Sequence, residues 1–304
     1  MPEATNPVSP GIEPWQLAMF RKGLKKRLRL KALKKLLLPL GPDERCLLLT
    51  CGDNNGAMNY FLRELGGRWS WADLEDTSIA EISALLGEPV VHVAEDRLPY
   101  EDASFDRIVV IDVHEHVDDP RIVTHELARI LKPGAQLIIT TPNGDEQKLA
   151  VRIKSLVGMS KEAYGHTRVG LTAPEIEQLM IDDGVQPVST GWFSRFFTEM
   201  LELSINFMYV KVLNKDKGAG VGKAETHQGT HGQHAHHAHE GPDKHDAHDH
   251  AEIAPATAEQ LRKVKTSYQI YSIIFPVYWL ISQLDHLLFF DDGYCVIVEG
   301  RHRK

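Results

Sequence analysis

The stretch Cys46 to Glu75, CLLLTCGDNNGAMNYFLRELGGRWSWADLE, limits the fold of this chain more than any other part of it. It reads as a buried strand, a tight polar turn, a helix, a second strand and an acidic residue at that strand's end. The turn runs from Thr50 to Gly56. Gly52 and Gly56 carry no side chain there, so the backbone can pass close to a ligand. Asp73 follows about 20 residues later, where nucleotide-binding α/β folds place a carboxylate on ribose hydroxyls. The other reading of Asp73 is a helix N-cap, with Thr77 and Ser78 nearby.

The pattern beyond this segment keeps alternating. Strands are predicted near 45–51, 69–73, 90–94, 107–113 and 136–142, and helices near 56–66, 77–86, 119–131, 145–157 and 173–183. Such alternation builds a mostly parallel sheet covered on both faces. A sixth strand is predicted at 186–192 and a seventh at Tyr294 to Glu299. With 42% apolar and 25% charged residues the chain has the composition of a globular protein. Its net charge of -8 argues against a protein that coats nucleic acid. Cys46, Cys51 and Cys295 show neither disulfide-framework nor zinc spacing, which suits a reducing, cytoplasmic setting. The proline-rich, acidic start has no apolar core for a signal peptide.

The segment Leu98 to Asn143 adds Leu98-Pro99-Tyr100, Ser104-Phe105-Asp106, Glu115-His116, Arg129-Ile130-Leu131-Lys132-Pro133-Gly134 and Pro142-Asn143. Together with the turn, these resemble the class I S-adenosylmethionine-dependent methyltransferases, in the methyltransferase type 11-like group. The resemblance covers Cys46 to about Gly191. It implies a Rossmann-like, doubly wound α/β fold with a seven-stranded sheet, mostly parallel with the last strand antiparallel. It also implies S-adenosylmethionine as cofactor, bound at the carboxyl ends of the strands.

By the same resemblance, Thr50, Gly52, Asp53 and Asn55 carry the methionine end of the cofactor, and Asp73 its ribose. Either Glu95 or Asp96, just before Leu98-Pro99, meets the adenine amino group. Asp112 ends the fourth strand beside the sulfonium. His116 is either a base toward an acceptor hydroxyl or amine, or part of a scaffold that fixes its loop. His114 and His125 read as surface or packing residues. The stretch Tyr164 to Thr172 puts His166 and Arg168 on a loop over the active end of the sheet, either binding the acceptor or anchoring a lid. Thr172 and Glu175 predict a capping box. Many relatives have an acidic residue at Leu48 and glycines at Thr50 and Asn54, so catalysis is less secured than fold.

About 100 residues separate the last two predicted strands. Phe193–Leu213 and Ala258–Phe290 read as helices of an insertion before the last strand. Between them, Lys215 to His250 holds nine of the chain's sixteen histidines and no apolar residue larger than Val221. It cannot bury a core and is expected to be a disordered linker with incidental metal affinity, not a resident metal site. The predicted organisation is a disordered N-terminus over 1–14, a core with its basic helix over 15–192, the insertion over 193–290, and a closing strand over 291–304.

One helix is predicted from Phe20 to Leu40, with nine basic and no acidic residues between Arg21 and Lys35. It either packs its leucines on the sheet or lies on an anionic membrane surface. Ile270 to Ile281 is too short to span a bilayer and contains Pro276, so it reads as a buried or interfacial helix. The sequence therefore predicts methyl transfer to a small or lipid-linked acceptor, with oxygen preferred, by a protein peripheral at a membrane. The alternative is a non-catalytic interaction module on the same fold.

Overall fold

The computed structural model describes residues 13–52, 54–156, 167–208, 272–288 and 291–303. Strand β1 (Arg45–Thr50) leads into α3 (Ala57–Arg63), and β2 (Arg68–Asp73) into α4 (Ile79–Leu86). Then come β3 (Val90–His92), β4 (Phe105–Ile111), α5 (Pro120–Ile130) and β5 (Leu131–Pro142). After α6 (Leu149–Leu156) and α7 (Ala173–Asp182), β6 (Val185–Phe193) and β7 (Cys295–His302) finish the sheet. Two helices, α1 (Trp15–Phe20) and α2 (Leu24–Leu37), precede it. Helix α8 (Phe196–Met208) follows β6, and before β7 lie a helix, α9, over 272–282 and a 3₁₀ turn, Gln283–Leu288.

The strand order is β3-β2-β1-β4-β5-β7-β6. All neighbours are parallel except β7, which runs antiparallel to both β5 and β6. The order reverses between β1 and β4, and a crevice opens at the carboxyl ends of strands on either side of such a reversal. The alternation of side chains explains the two-sided core. Leu47, Leu49, Ile108, Val110, Leu137 and Ile139 face one layer, closed by α5 and α7. Leu48, Trp71, Val109 and Ile138 face the other, closed by α1 to α4. Asp119 caps α5 through the Arg121 N–H, with Pro120 at the first position, and the predicted Thr172–Glu175 capping box starts α7.

The predicted single helix from Phe20 to Leu40 is two helices. Gly23 sits in extended conformation as the N-cap of α2 and breaks the pattern after Phe20, as a residue poorly suited to helix interiors does. Helix α2 packs Leu30, Leu33 and Leu37 on the sheet. Its cations divide between two sides. Toward the interior, the Lys25 ammonium and that of Lys154 on α6 meet the two oxygens of Glu199 on α8, at 3.0 and 2.5 Å. Ser194 donates to the same carboxylate at 2.6 Å. Burial pushes the Glu199 carboxyl up, but the two ammonium groups and these hydrogen bonds outweigh it and hold it down at about 2.

The chain divides into two compact units, residues 1–205 with 274–304, and residues 206–273. The expectations for the histidine tract at 215–250, for residues 1–12 and for much of the insertion fall outside the described residues. Among the described residues, no helix is long and apolar enough to cross a membrane.

Candidate active site

The turn after β1 is built by hydrogen bonds to one carboxylate. Asp73, at the end of β2, is fully buried. Its Oδ1 accepts from the N–H groups of Gly52 at 2.8 Å and Glu75 at 2.9 Å. Its Oδ2 accepts from the Thr50 hydroxyl at 2.6 Å. The turn continues through side-chain amides: Asn54 accepts from the Gly56 N–H and donates to Asn59, while Asn55 accepts from the Ala57 N–H. Gly52 has a positive φ of 59°, and a Cβ there would lie 2.5 Å from a Glu75 carboxylate oxygen. The positive φ favours glycine here, whereas the exposed Glu75 side chain can swing away from an added Cβ.

A cleft of about 210 Å³ opens at the carboxyl ends of β1 and β4. Thr50, Cys51, Gly52 and Asn55 line one wall, and Asp112, Glu115 and His116 another. Phe20, Lys25, Lys26 and Arg29 close it from the α1–α2 side. Asp112 has a positive φ of 50° just past β4. Arg29 reaches across and donates to both its oxygens, at 2.7 and 2.6 Å. The Nε–H of Arg29 has no partner among the described residues. Glu115 is buried and accepts from the Thr141 hydroxyl at 2.9 Å. Burial first, and Asp112 second, push its carboxyl up to about 8, against the opposing pull of Thr141 and Arg29. It is thus protonated at neutral pH.

The sequence of this region matches a known family. Residues 48–139 fit the family model described as a methyltransferase domain. That segment is similar to a methyltransferase domain. Among curated relatives, a demethylmenaquinone methyltransferase of Mycobacterium sp. (strain KMS) is 32% identical over 104 residues, 34% of this chain and 43% of that protein. A ubiquinone biosynthesis O-methyltransferase of Xanthomonas oryzae pv. oryzae is 28% identical over 112 residues, 35% of this chain and 47% of that protein. The chain therefore spans less than half the length of these relatives. A solved structure from Galdieria sulphuraria, assigned as a sarcosine dimethylglycine methyltransferase, superposes with a TM-score of 0.51 at 14% identity, over 90% of this chain and 84% of that one. A geranyl diphosphate methyltransferase superposes with a TM-score of 0.50 at 11% identity, over 91% and 77%. At such identities the likeness is one of fold.

Within the matched segment, Thr50, Gly52, Asn55, Asp112 and His116 come together in the cleft. Asp53 and His166 lie outside the described residues. Asp73 is enclosed, and its oxygens accept from the Thr50 hydroxyl and from the Gly52 and Glu75 N–H groups. The exposed carboxylate at this place is Glu75, two residues on, whose side chain lies over Gly52. Neither Glu95 nor Asp96 is among the residues lining the cleft. Asp96 borders a separate depression with Arg121, His125 and Asp183.

The loop after β4 is fixed from outside. Thr167 donates through N–H and hydroxyl to the Glu115 carbonyl, and Arg168 donates to the carbonyls of Val117 and Asp118. Arg168 thus anchors the loop. His114 is buried against Thr124, and burial first, then Arg168, push it down to about 4, so it packs as a neutral ring. His125 sits at the surface beside Asp183.

Among the described residues one trio could approach a metal ion: Cys51, Glu75 and His116, with ligand atoms within 4.8 Å of one another. Burial, then Glu75 and Asp73, push the Cys51 thiol up to about 12, which keeps it protonated. Sequence reasoning missed Arg29 in the cleft wall and Glu75 over the turn at Gly52. The acidic pair Asp73-x-Glu75 was the available signal for Glu75. Nothing in the sequence pairs Arg29 with Asp112, 83 positions away.

Proposed function

We propose that this chain transfers the methyl group of S-adenosylmethionine to an oxygen of a small or lipid-linked acceptor. The observation that carries the reading is the cleft itself: glycine turn, strand-end carboxylate and basic helix face one another at the sheet's reversal point, inside a matched methyltransferase segment. The methionine end of the cofactor bears a carboxylate, an ammonium and a sulfonium. The cleft offers charges of both signs, Arg29 and Lys26 on one side and Asp112 on the other, and these residues fit such a group. When bound, the cofactor supplies an electrophilic methyl on a sulfonium.

The chain's own residues then have separable roles. Gly52 lets the backbone approach, and Glu75 accepts from the ribose hydroxyls. Asp112 sits beside the positive charge, and Arg29 trades part of its hold on Asp112 for the ligand carboxylate. Methyl transfer is an in-line displacement, so alignment supplies most of the rate. His116 faces the cleft, where it takes the proton of an acceptor hydroxyl. Protonated Glu115 adds no second negative charge beside Asp112. A lipid-linked acceptor draws support from the relatives named for demethylmenaquinone and for ubiquinone biosynthesis.

A second reading is favoured by two observations. Asp73 is wholly engaged by the turn, and Arg29 already bridges the cleft to Asp112. On that reading the domain is a non-catalytic interaction module. Calorimetry with S-adenosylmethionine and S-adenosylhomocysteine separates the two. Saturable binding with one site per chain is expected. A folded protein that takes up neither ligand would leave the module.

A further inference from the structure

We infer that the outer side of α2, together with α9 and the turn after it, is a docking surface for an anionic phospholipid bilayer. Between α2, β6 and the segment around Trp279 lies a groove of about 630 Å³, separate from the cleft and sharing none of its lining residues. Arg27, Lys31 and Lys35 line it from α2. Their spacing of four puts them in one row along the helix. All three are exposed. Among the described residues none of the three has an ion-pair partner; Arg27 lies over the Phe275 ring, 5.8 Å from its centre. The one carboxylate in the groove wall is Asp285. It is buried and faces inward, accepting from the backbone N–H groups of Arg195, Phe197 and Thr198. The row is therefore a set of uncompensated cations on a chain whose net charge is -8.

The second observation is apolar and adjoins the first. Ser282 and Asp285 turn inward, while Val277, Leu280, Leu284 and Leu287 recur at spacings of three and four on the outward face. Val277 is 57%, Leu280 64% and Leu287 67% exposed. Trp279 is exposed and lines the groove between this face and the basic row. Aliphatic side chains outward, an indole at their border and lysines beyond them match the layers of a bilayer: acyl chains, interface and anionic headgroups. A second copy of the chain would answer the apolar face but would bring a second row of cations against the first. Charge complementarity selects the anionic bilayer. The interior cations of α2, Lys25 and Arg29, take no part, because Glu199 and Asp112 hold them.

The test is vesicle flotation with neutral phosphatidylcholine vesicles and with vesicles containing phosphatidylglycerol, at low and high salt. The parent chain is expected to float with the anionic vesicles only, with a salt-resistant remainder. The double variant Lys31→Glu, Lys35→Glu should lower anionic-vesicle binding about tenfold or more at low salt, since each cation near such a surface contributes roughly fivefold. The double variant Leu280→Ser, Leu287→Ser should remove the salt-resistant part. Both pairs are exposed, and unchanged melting and S-adenosylhomocysteine affinity keep this test separate from the methyl-transfer reading. The inference is overturned if the parent stays in solution with anionic vesicles at low salt, or if Lys31→Glu, Lys35→Glu binds as the parent does. It is equally overturned if the serine variant changes sedimentation from dimer to monomer without changing flotation, which would assign the face to a second copy.

Discussion

The two sides of α2 carry the same residue types and lead different lives. On the inner side, Lys25 meets Glu199 and Arg29 meets Asp112, each with at least one partner largely withdrawn from water. On the outer side, Arg27, Lys31 and Lys35 meet no carboxylate among the described residues. A count of charges along the helix cannot distinguish these sides. The distinction is made by what the sheet and α8 bring across from positions far away in the chain. Burial converts an ordinary cation into a structural member, because a buried charge left alone costs far more than an exposed one.

The sharpest break of this comparison is at Glu199. Glu199→Ala leaves Lys25 and Lys154 without their shared carboxylate and the Ser194 hydroxyl without its acceptor. Removing one member of a buried ion pair costs about 3–5 kcal/mol, whereas an exposed surface change stays within about 0.5 kcal/mol. Urea denaturation should therefore show a large loss for Glu199→Ala and almost none for Lys31→Ala. Equal effects would mean that the inner side of α2 is no more structural than the outer.

How much of this was legible beforehand follows the same line. The strands and the capping box at Thr172 came from local periodicity and local chemistry, which a sequence carries openly, whereas the seven-stranded sheet with its antiparallel last strand came from the resemblance to the methyltransferases. The cleft-lining turn was legible for the same reason. Asp73 was legible as a residue, but its hydrogen bonds to Thr50 and Gly52 were not, since these partners lie across a strand pair. The Arg29–Asp112 pair was invisible, as it depends on how α2 lies over the ends of β1 and β4.

A smaller effect, but one with a distinctive pH signature, belongs to Glu115. Its carboxyl is raised to about 8 in the fold, chiefly by burial and by Asp112. The unfolded chain releases that proton near the usual carboxylate value, so between about 4.5 and 8 the unfolded state binds fewer protons than the native one. Stability should fall as pH rises through this window, by something on the order of a few kcal/mol. Glu115→Gln keeps an acceptor for the Thr141 hydroxyl and removes the titration. Melting points measured across the window should show a decline in the parent that flattens in the variant. Parallel curves would place the origin of the decline elsewhere.

The finest comparison is between two carboxylates only two residues apart. Asp73 is enclosed and gives its oxygens to the Thr50 hydroxyl and to two backbone N–H groups. Glu75 is exposed and lies over Gly52 at the cleft's turn. If enclosure decides the role, Asp73→Ala strands buried donors and lowers stability by about 1–3 kcal/mol. Any loss of ligand affinity would then follow from a loosened turn. Glu75→Gln should leave the melting point nearly unchanged and weaken S-adenosylhomocysteine binding by about 1–2 kcal/mol, through loss of charge-assisted hydrogen bonds to the ribose. Paired melting and calorimetry on the two variants read both quantities. If Glu75→Gln binds like the parent while a folded Asp73→Ala does not, the turn must open to expose Asp73 when ligand arrives, and the enclosed carboxylate rather than the exposed one is the ribose contact.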